Sequence, residues 1–309
     1  MKTIYIIIIL LFLTTSHSTS LLANDKRAGF YMSDSICETS MTFRSVNNLV
    51  ILAVTINNDL HVNLVMDTGC RNLVLFGRKF QKHFSFEPSH MVQFSGLGQG
   101  NALQGRLSLG NTISIGAIQG ERIPVIVVPS KNVFEYMNEV DGVIGYDLLF
   151  RFEVEINSIA KRIIFRPAML TAITEGYTKI PMHINDSAPI LNSSIIFSTN
   201  NEVCDLMIDT GSSLGLLLKT TNIEKFNMPN RAEVLGRGLN GLIKGYNLTV
   251  DKLTLHGYEM ISLPTSITES PWHNYASIGM EILKDYIVIL NYHKEYIGLK
   301  KLDVGSINL

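Results

Sequence analysis

LVMDTGCRNLVLF, residues 64–76, sets a carboxylate, a hydroxyl and a glycine between two apolar runs. Asp and Gly both suit tight turns, so a single such stretch reads as an ordinary turn between strands. This one is not single. VILAVTINNDLHVNLVMDTGC (50–70) is matched by SSIIFSTNNEVCDLMIDTGSS (193–213). Each has an apolar, β-branched run, an Asn-Asn pair that reads as a hairpin turn, a second strand-like run, and Asp-Thr-Gly.

The parallel continues downstream. FSGLGQGNALQGRLSLGNTISIG (94–116) carries Gly98-x-Gly100 and then Gly105. VLGRGLNGLIKGYNLTVDKLTLHG (234–257) carries Gly236-x-Gly238 and then Gly245. IPVIVVPS and MISLPTS come next, with Pro129 and Pro264 in matching places. DGVIGYDLLFRFEVEINSIAKRIIF (141–165) then pairs with ASIGMEILKDYIVILNYHKEYIGL (276–299). Matching features in one order argue for an internal duplication. Short strands bounded by Gly, Asn and Pro favour an all-β class, with short helices expected at Tyr146–Phe150 and Met280–Asp285.

At 309 residues the chain has room for about two domains. A hydrophobic share of 46% against 17% charged allows a large packed core. The net charge of −1 gives no pull toward nucleic acid, and no basic run or zinc-type Cys/His spacing stands out. The eight histidines show no metal-ligand spacing, so neither a metal nor another cofactor is expected. Lys2, the apolar run Ile4 to Leu13 and the small-residue stretch before Ala23 read as an export signal. Its apolar core is too short for a comfortable span, so no stable membrane span is expected after cleavage. The three cysteines, Cys37, Cys70 and Cys204, are expected to be mostly buried apolar side chains.

The expected organisation is a signal peptide over 1–23, an N-terminal segment over 24–46, a first lobe over 47–168, a linker over 169–178 and a second lobe over 179–309. The segment 24–46 reads equally as an inhibitory piece, an extra strand or a flexible leader.

Each Asp follows a buried-looking strand, where an ionised carboxylate is costly unless hydrogen-bonded or sharing a proton. A two-fold arrangement of the halves resolves this by bringing Asp67 and Asp209 together, one ionised and one protonated. Gly69 and Gly211 would let backbone approach the carboxylates, and Thr68 and Thr210 can hydrogen-bond across the axis. The pair could then activate a water and protonate a substrate carbonyl, with no covalent intermediate.

These residues resemble the retropepsin-like and pepsin-like aspartic proteases. The resemblance rests on Asp67-Thr68-Gly69 and Asp209-Thr210-Gly211, with Val143-Ile144-Gly145 and Ser277-Ile278-Gly279, and covers about 47–300. It implies two pseudo-two-fold-related β-barrel lobes with short helices, and catalytic Asp67 and Asp209. It also implies flaps over the cleft carrying Gly98, Gly100, Gly236 and Gly238. Glycine hairpins in both halves make a fused retropepsin-type pair, similar to bacterial periplasmic aspartyl proteases, a closer likeness than pepsin. Together with the export signal, the resemblance implies a periplasmic or extracellular endopeptidase acting on peptides or proteins. It would be a monomer whose lobes stand in for a dimer. The alternative is a catalytically inactive peptide-binding or scaffold module on the same fold.

Overall fold

The computed structural model describes residues 28–302 other than 88–90, 95, 131–133, 135–136, 170–174, 198–199, 227, 229–230 and 271–275. The expected signal segment, part of the expected linker and residues 303–309 lie outside the described residues.

Three short strands open the chain: β1 (Gly29–Tyr31), β2 (Thr39–Thr42) and β3 (Arg44–Val46). The first half continues with β4 (Leu49–Ile56), β5 (Leu60–Met66), β6 (Leu73–Phe76), β7 (Met91–Phe94), β8 (Leu103–Ile115), β9 (Ile118–Val128) and β10 (Gly142–Ile144). One helical turn, α1 (Tyr146–Leu149), leads into β11 (Phe152–Asn157) and β12 (Arg162–Pro167). The second half runs through β13 (Thr178–Pro181), β14 (His183–Asn185), β15 (Ala188–Phe197), β16 (Asn200–Ile208), β17 (Leu216–Thr220) and β18 (Glu233–Gly238). It ends with β19 (Gly241–Leu255), β20 (Tyr258–Glu269), β21 (Ala276–Ile278), α2 (Met280–Leu283), β22 (Tyr286–Asn291) and β23 (Tyr296–Lys301).

Hydrogen bonding closes each half on itself. In the first, pairing runs β4–β5–β10–β6–β9–β8 and returns to β4. In the second it runs β15–β16–β21–β17–β20–β19 and returns to β15. These are two six-stranded barrels of one topology, and closure leaves the barrel strands no free edge. The runs that build them are β-branched and apolar, such as LVILAVTI in β4 and RIPVIVV in β9, and their side chains fill the core.

Turn chemistry sets the registers. Asn47-Asn48 joins β3 to β4 with φ of 50° and 67°, and Asn57-Asn58 joins β4 to β5 with 51° and 70°. Asp186-Ser187 does the same between β14 and β15 at 45° and 73°. Two successive left-handed residues match the twist of a tight hairpin, and Asn and Asp tolerate that conformation. The matching expectation for Asn200-Asn201 fails. Both residues lie in β16, paired with Phe197 and Ile196, so the connection falls at 198–199, outside the described residues.

A third sheet, in the order β13–β23–β22–β11–β12–β2, joins the lobes. Its centre is the antiparallel pair of β11 and β22, one strand from each half, with Glu153 opposite Asn291. Of the three readings of 24–46, the extra strand is the one found: β2 forms one edge of this sheet, β1 pairs with β9, and β3 pairs with β4. Glu153 is fully buried there, hydrogen-bonded by Tyr296 Oη and by Asn291 Nδ2 (3.2 Å), with Arg166 3.8 Å away. The cysteines depart from expectation, since Cys37 is exposed and the other two are half-buried; none is in a disulfide.

Each short helix starts at a glycine pressed against the loop that carries an Asp. A Cβ on Gly145 would stand 1.9 Å from Cys70 O and 2.4 Å from Asp67 O, and one on Gly279 2.4 Å from Leu214 O. Backbone oxygens on these loops cannot yield as a flexible side chain can. Gly145→Ala is therefore expected to destabilise the protein by about 3 kcal/mol or more. Gly110→Ala, with open space around its Cβ but a φ of 76°, should cost only about 1 kcal/mol. Urea unfolding of both variants checks the contrast, and equal losses would refute it.

Candidate active site

Asp67 and Asp209 stand just beyond β5 and β16. Each backbone N–H is held by the neighbouring short strand: Asp67 N donates to Ile144 O and Asp209 N to Ile278 O, both at 2.9 Å. Each loop then turns back on its own Asp, with Cys70 N donating to Asp67 O at 3.1 Å and Ser212 N to Asp209 O at 3.2 Å. The chain thus presents each carboxylate at a strand end fixed from both sides.

Thr68 and Thr210 join the two loops. Thr68 N donates to Thr210 Oγ1 (3.1 Å) and Thr210 N to Thr68 Oγ1 (3.0 Å). In return Thr68 Oγ1 donates to Ile208 O (2.6 Å) and Thr210 Oγ1 to Met66 O (2.7 Å). Both threonines are fully buried. Every polar group in the exchange is satisfied by the opposite lobe, as buried polar groups require.

The glycines let the carboxylates sit close. A Cβ on Gly211 would fall 2.3 Å from Asp67 Cγ, so the Asp67 carboxylate lies directly against the second loop. Gly69 N donates to Asp67 Oδ1 at 2.7 Å and Gly211 N to Asp209 Oδ1 at 3.1 Å. Asp67, Thr68 and Gly69 are thus brought together with Asp209, Thr210 and Gly211.

Both aspartates are half-buried. Burial, with the Asp209 charge alongside, pushes the Asp67 carboxyl up to about 7, against the lowering effect of the Gly69 N–H. Burial also raises Asp209, but the Lys219 cation and the N–H groups of Gly211 and Ser212 pull it back toward the ionised form. Two neighbouring carboxyls that feel each other's charge cannot both ionise comfortably, and here their surroundings differ. Lys219, in β17, is only 6% exposed. Burial lowers its ammonium to about 8, while Asp209 favours the charged form. Tyr292, buried beneath, has its phenol raised by burial first and by the Asp67 charge next.

The glycine hairpins meet at their tips. Gly98 and Gly100 lie between β7 and β8, whereas Gly236 and Gly238 lie within β18, whose turn is Leu239-Asn240. Asn240 N donates to Leu97 O (3.0 Å), Gln99 N to Leu242 O (3.2 Å) and Gly96 N to Asn240 Oδ1 (3.2 Å), and Gly100 N donates to Asn240 O. A Cβ on Gly238 would stand 2.3 Å from Leu97 O, whereas one on Gly236 meets nothing within 4 Å. Gly98, Gly100 and Gly238 permit this close contact, and Gly236 does not take part.

Sequence reasoning missed Asn240, Lys219 and Tyr292. The one signal for Lys219 was a lysine closing the apolar run LLLKT. Cys70, beside the first carboxylate, has its thiol pushed up by burial and then by Asp67, so a thiolate nucleophile is disfavoured.

The sequence profile described as aspartyl protease matches residues 52–148 and 195–282, one span in each lobe and together more than half of the chain. No curated protein sequence matched. Among solved structures, the chain is similar to an aspartic proteinase from Irpex lacteus, with a TM-score of 0.59 and 14% identity. That match covers 87% of this chain and 99% of the other, and at such identity it speaks for the fold alone.

A carboxyl raised by folding holds its proton more tightly in the folded state. Folding stability therefore falls as pH rises between the ordinary value of 3.8 and about 7. Asp67→Asn removes that charge. Its Tm advantage over the parent should grow by a few degrees across this window and level off above it. Differential scanning calorimetry at several pH values checks this; a constant or shrinking difference would count against the raised carboxyl.

Proposed function

We propose, from the premise that the chain belongs to the aspartyl protease family, that it is an exported endopeptidase hydrolysing peptide bonds with a water activated between Asp67 and Asp209. The observation that carries this reading is the pair of half-buried carboxyls locked together by Thr68 and Thr210 in unequal surroundings.

Asp209, raised by burial but with the Lys219 cation and two backbone N–H groups favouring its ionised form, takes a proton from the water as it attacks the substrate carbonyl carbon. Asp67, which keeps its proton up to about pH 7, hydrogen-bonds the carbonyl oxygen and passes the proton to it. The tetrahedral adduct collapses when the leaving nitrogen gains a proton from the dyad. Oxygen transfer is direct from water, and no enzyme nucleophile is acylated. The touching flap tips would cover an extended peptide and keep bulk water from the carboxyls. The inactive binding alternative gives no account of two neighbouring carboxyls brought together at the expense of burial. Export rests on the apolar segment after Lys2, and a periplasmic or extracellular location goes with it.

Cleavage of a diverse peptide mixture by residues 24–309 tests the reading. Asp67→Asn and Asp209→Asn are each expected to lower kcat/KM by about 10²–10⁴-fold or more. The parent's kcat/KM should fall on the alkaline side with a midpoint near 7, as the shared proton is lost. Folded parent and variants that are equally inactive would contradict the proposal.

The flap contact makes a separate prediction. Gly238→Ala forces the tips apart against Leu97 O and should lower kcat/KM by about 10-fold. Gly236→Ala should lose far less. Similar losses in a fluorogenic assay would mean that the tips do not need to meet.

A further inference from the structure

The two barrels can be compared position by position through their ladders. In the first, Val143 lies between Val65 and Val74, and β6 continues along β9 with Val74 opposite Ile126 and Phe76 opposite Val128. In the second, Ser277 lies between Met207 and Leu217, and β17 continues along β20 with Leu217 opposite Ser266 and Lys219 opposite Thr268. Val143 thus corresponds to Ser277, Phe76 to Lys219, Ile126 to Ser266 and Val128 to Thr268. All of these side chains are buried. The first lobe shows that the barrel closes with apolar groups at these places, so barrel construction does not call for the polar set.

Paired residues on adjacent strands share a face, as do residues two apart on one strand. Met207, Ser277, Leu217 and Lys219 therefore share one, and Met207 identifies it. Its Cε is the nearest atom to a Cβ built on Gly69, at 2.8 Å, and Gly69 abuts the Asp67 carboxylate. This face adjoins the dyad.

Two features of it are unlike ordinary packing. Lys219 brings a cation into a place where Phe76 packs edge-on against Phe134 in the first lobe, and lysine is rarely this deeply buried. Ser277 Oγ is buried with no hydrogen-bond partner among the described residues, an exception to the rule for buried hydroxyls. Thr268 and Ser266 differ, since their hydroxyls are taken by Lys244 O (2.7 Å) and Asn247 Oδ1 (2.9 Å).

We propose that Lys219 and Ser277 form a carboxylate-recognising subsite in the second lobe, selecting substrates with an acidic group beside the scissile bond. The inference rests on the endopeptidase reading and names its substrate class. A substrate carboxylate would meet a buried cation and a hydroxyl donor, whereas an amide or apolar group gains no charge attraction from Lys219, and an apolar group leaves the Ser277 hydroxyl unmatched. Sites built to hydrogen-bond a group discriminate strongly against its absence. The corresponding face of the first lobe is apolar, so the two residues flanking the bond should differ in kind. The carboxylate can come from an Asp or Glu side chain, or from the free C-terminus of a short peptide.

Peptide pairs differing only as Glu or Gln at each flanking position, with the C-terminus free or amidated, separate these sources. The readout is the ratio of kcat/KM between members of a pair, in which any general effect on the dyad cancels. The parent should favour the carboxylate by about 10- to 100-fold at one position. Lys219→Met should bring the ratio near 1, Lys219→Arg should keep much of it, and Ser277→Ala should lower it several-fold. A parent ratio of 1 or below at both positions and at the free C-terminus overturns the proposal before any variant is needed. An unchanged ratio in Lys219→Met also overturns it. Binding of the same peptides to Asp67→Asn, followed by fluorescence anisotropy, reports the preference without turnover. Carboxylate preference there, with no cleavage by the parent, would sink the catalytic reading and leave this subsite standing; no preference there would sink the subsite.

Discussion

Two threonine hydroxyls hold the molecule's centre. Thr68 and Thr210 each accept a hydrogen bond from the opposing amide and donate one to the opposing strand, so neither loop is satisfied without the other lobe. The arrangement is buried, and each missing partner would leave a desolvated polar group worth about 1–3 kcal/mol. Closed barrels on either side and the shared sheet of β11 and β22 bring the loops to this spacing. The carboxylates are placed as a consequence, since each sits one residue before its threonine.

Symmetry assembles the dyad, but acid–base chemistry needs the two carboxyls to differ. The difference comes from what the halves no longer share. Asp209 lies within reach of the Lys219 cation, whereas Phe76 occupies the equivalent place in the other lobe. That replacement sets a cation where it opposes the burial that raises the Asp209 carboxyl, and in the proposed subsite the same cation would face the substrate. Under the proposed mechanism and subsite, one departure from the duplication would bear on both proton placement and substrate choice.

Much of this was legible in the residues. The repeated Asp-Thr-Gly and Ile-Gly pairs located the dyad, the threonine link and the two helical turns, because local turn chemistry and close backbone approach leave strong marks. The mark was weaker where geometry is non-local. Asn200 and Asn201 looked like the turn at Asn57-Asn58, yet ladder pairing with Phe197 and Ile196 drew them into β16. Strands β1 and β2 gave little signal, because they are short and pair with the distant β9 and β12, and β3 is equally short though it pairs with its neighbour β4. Lys219 could be seen in the sequence, but its burial depends on which face of β17 turns inward. Asn240 becomes a clasp only because the opposing tip meets it.

In the proposed mechanism water attacks the peptide bond directly, with the two aspartates managing its protons. Cleaving a defined peptide in ¹⁸O-enriched water with hydroxylamine present tests this most directly. One ¹⁸O atom is expected in the new carboxyl group and no hydroxamate, since no acylated enzyme exists for the amine to intercept. A hydroxamate product would place a covalent intermediate on Cys70, Ser212 or another side chain, and the dyad account would be wrong.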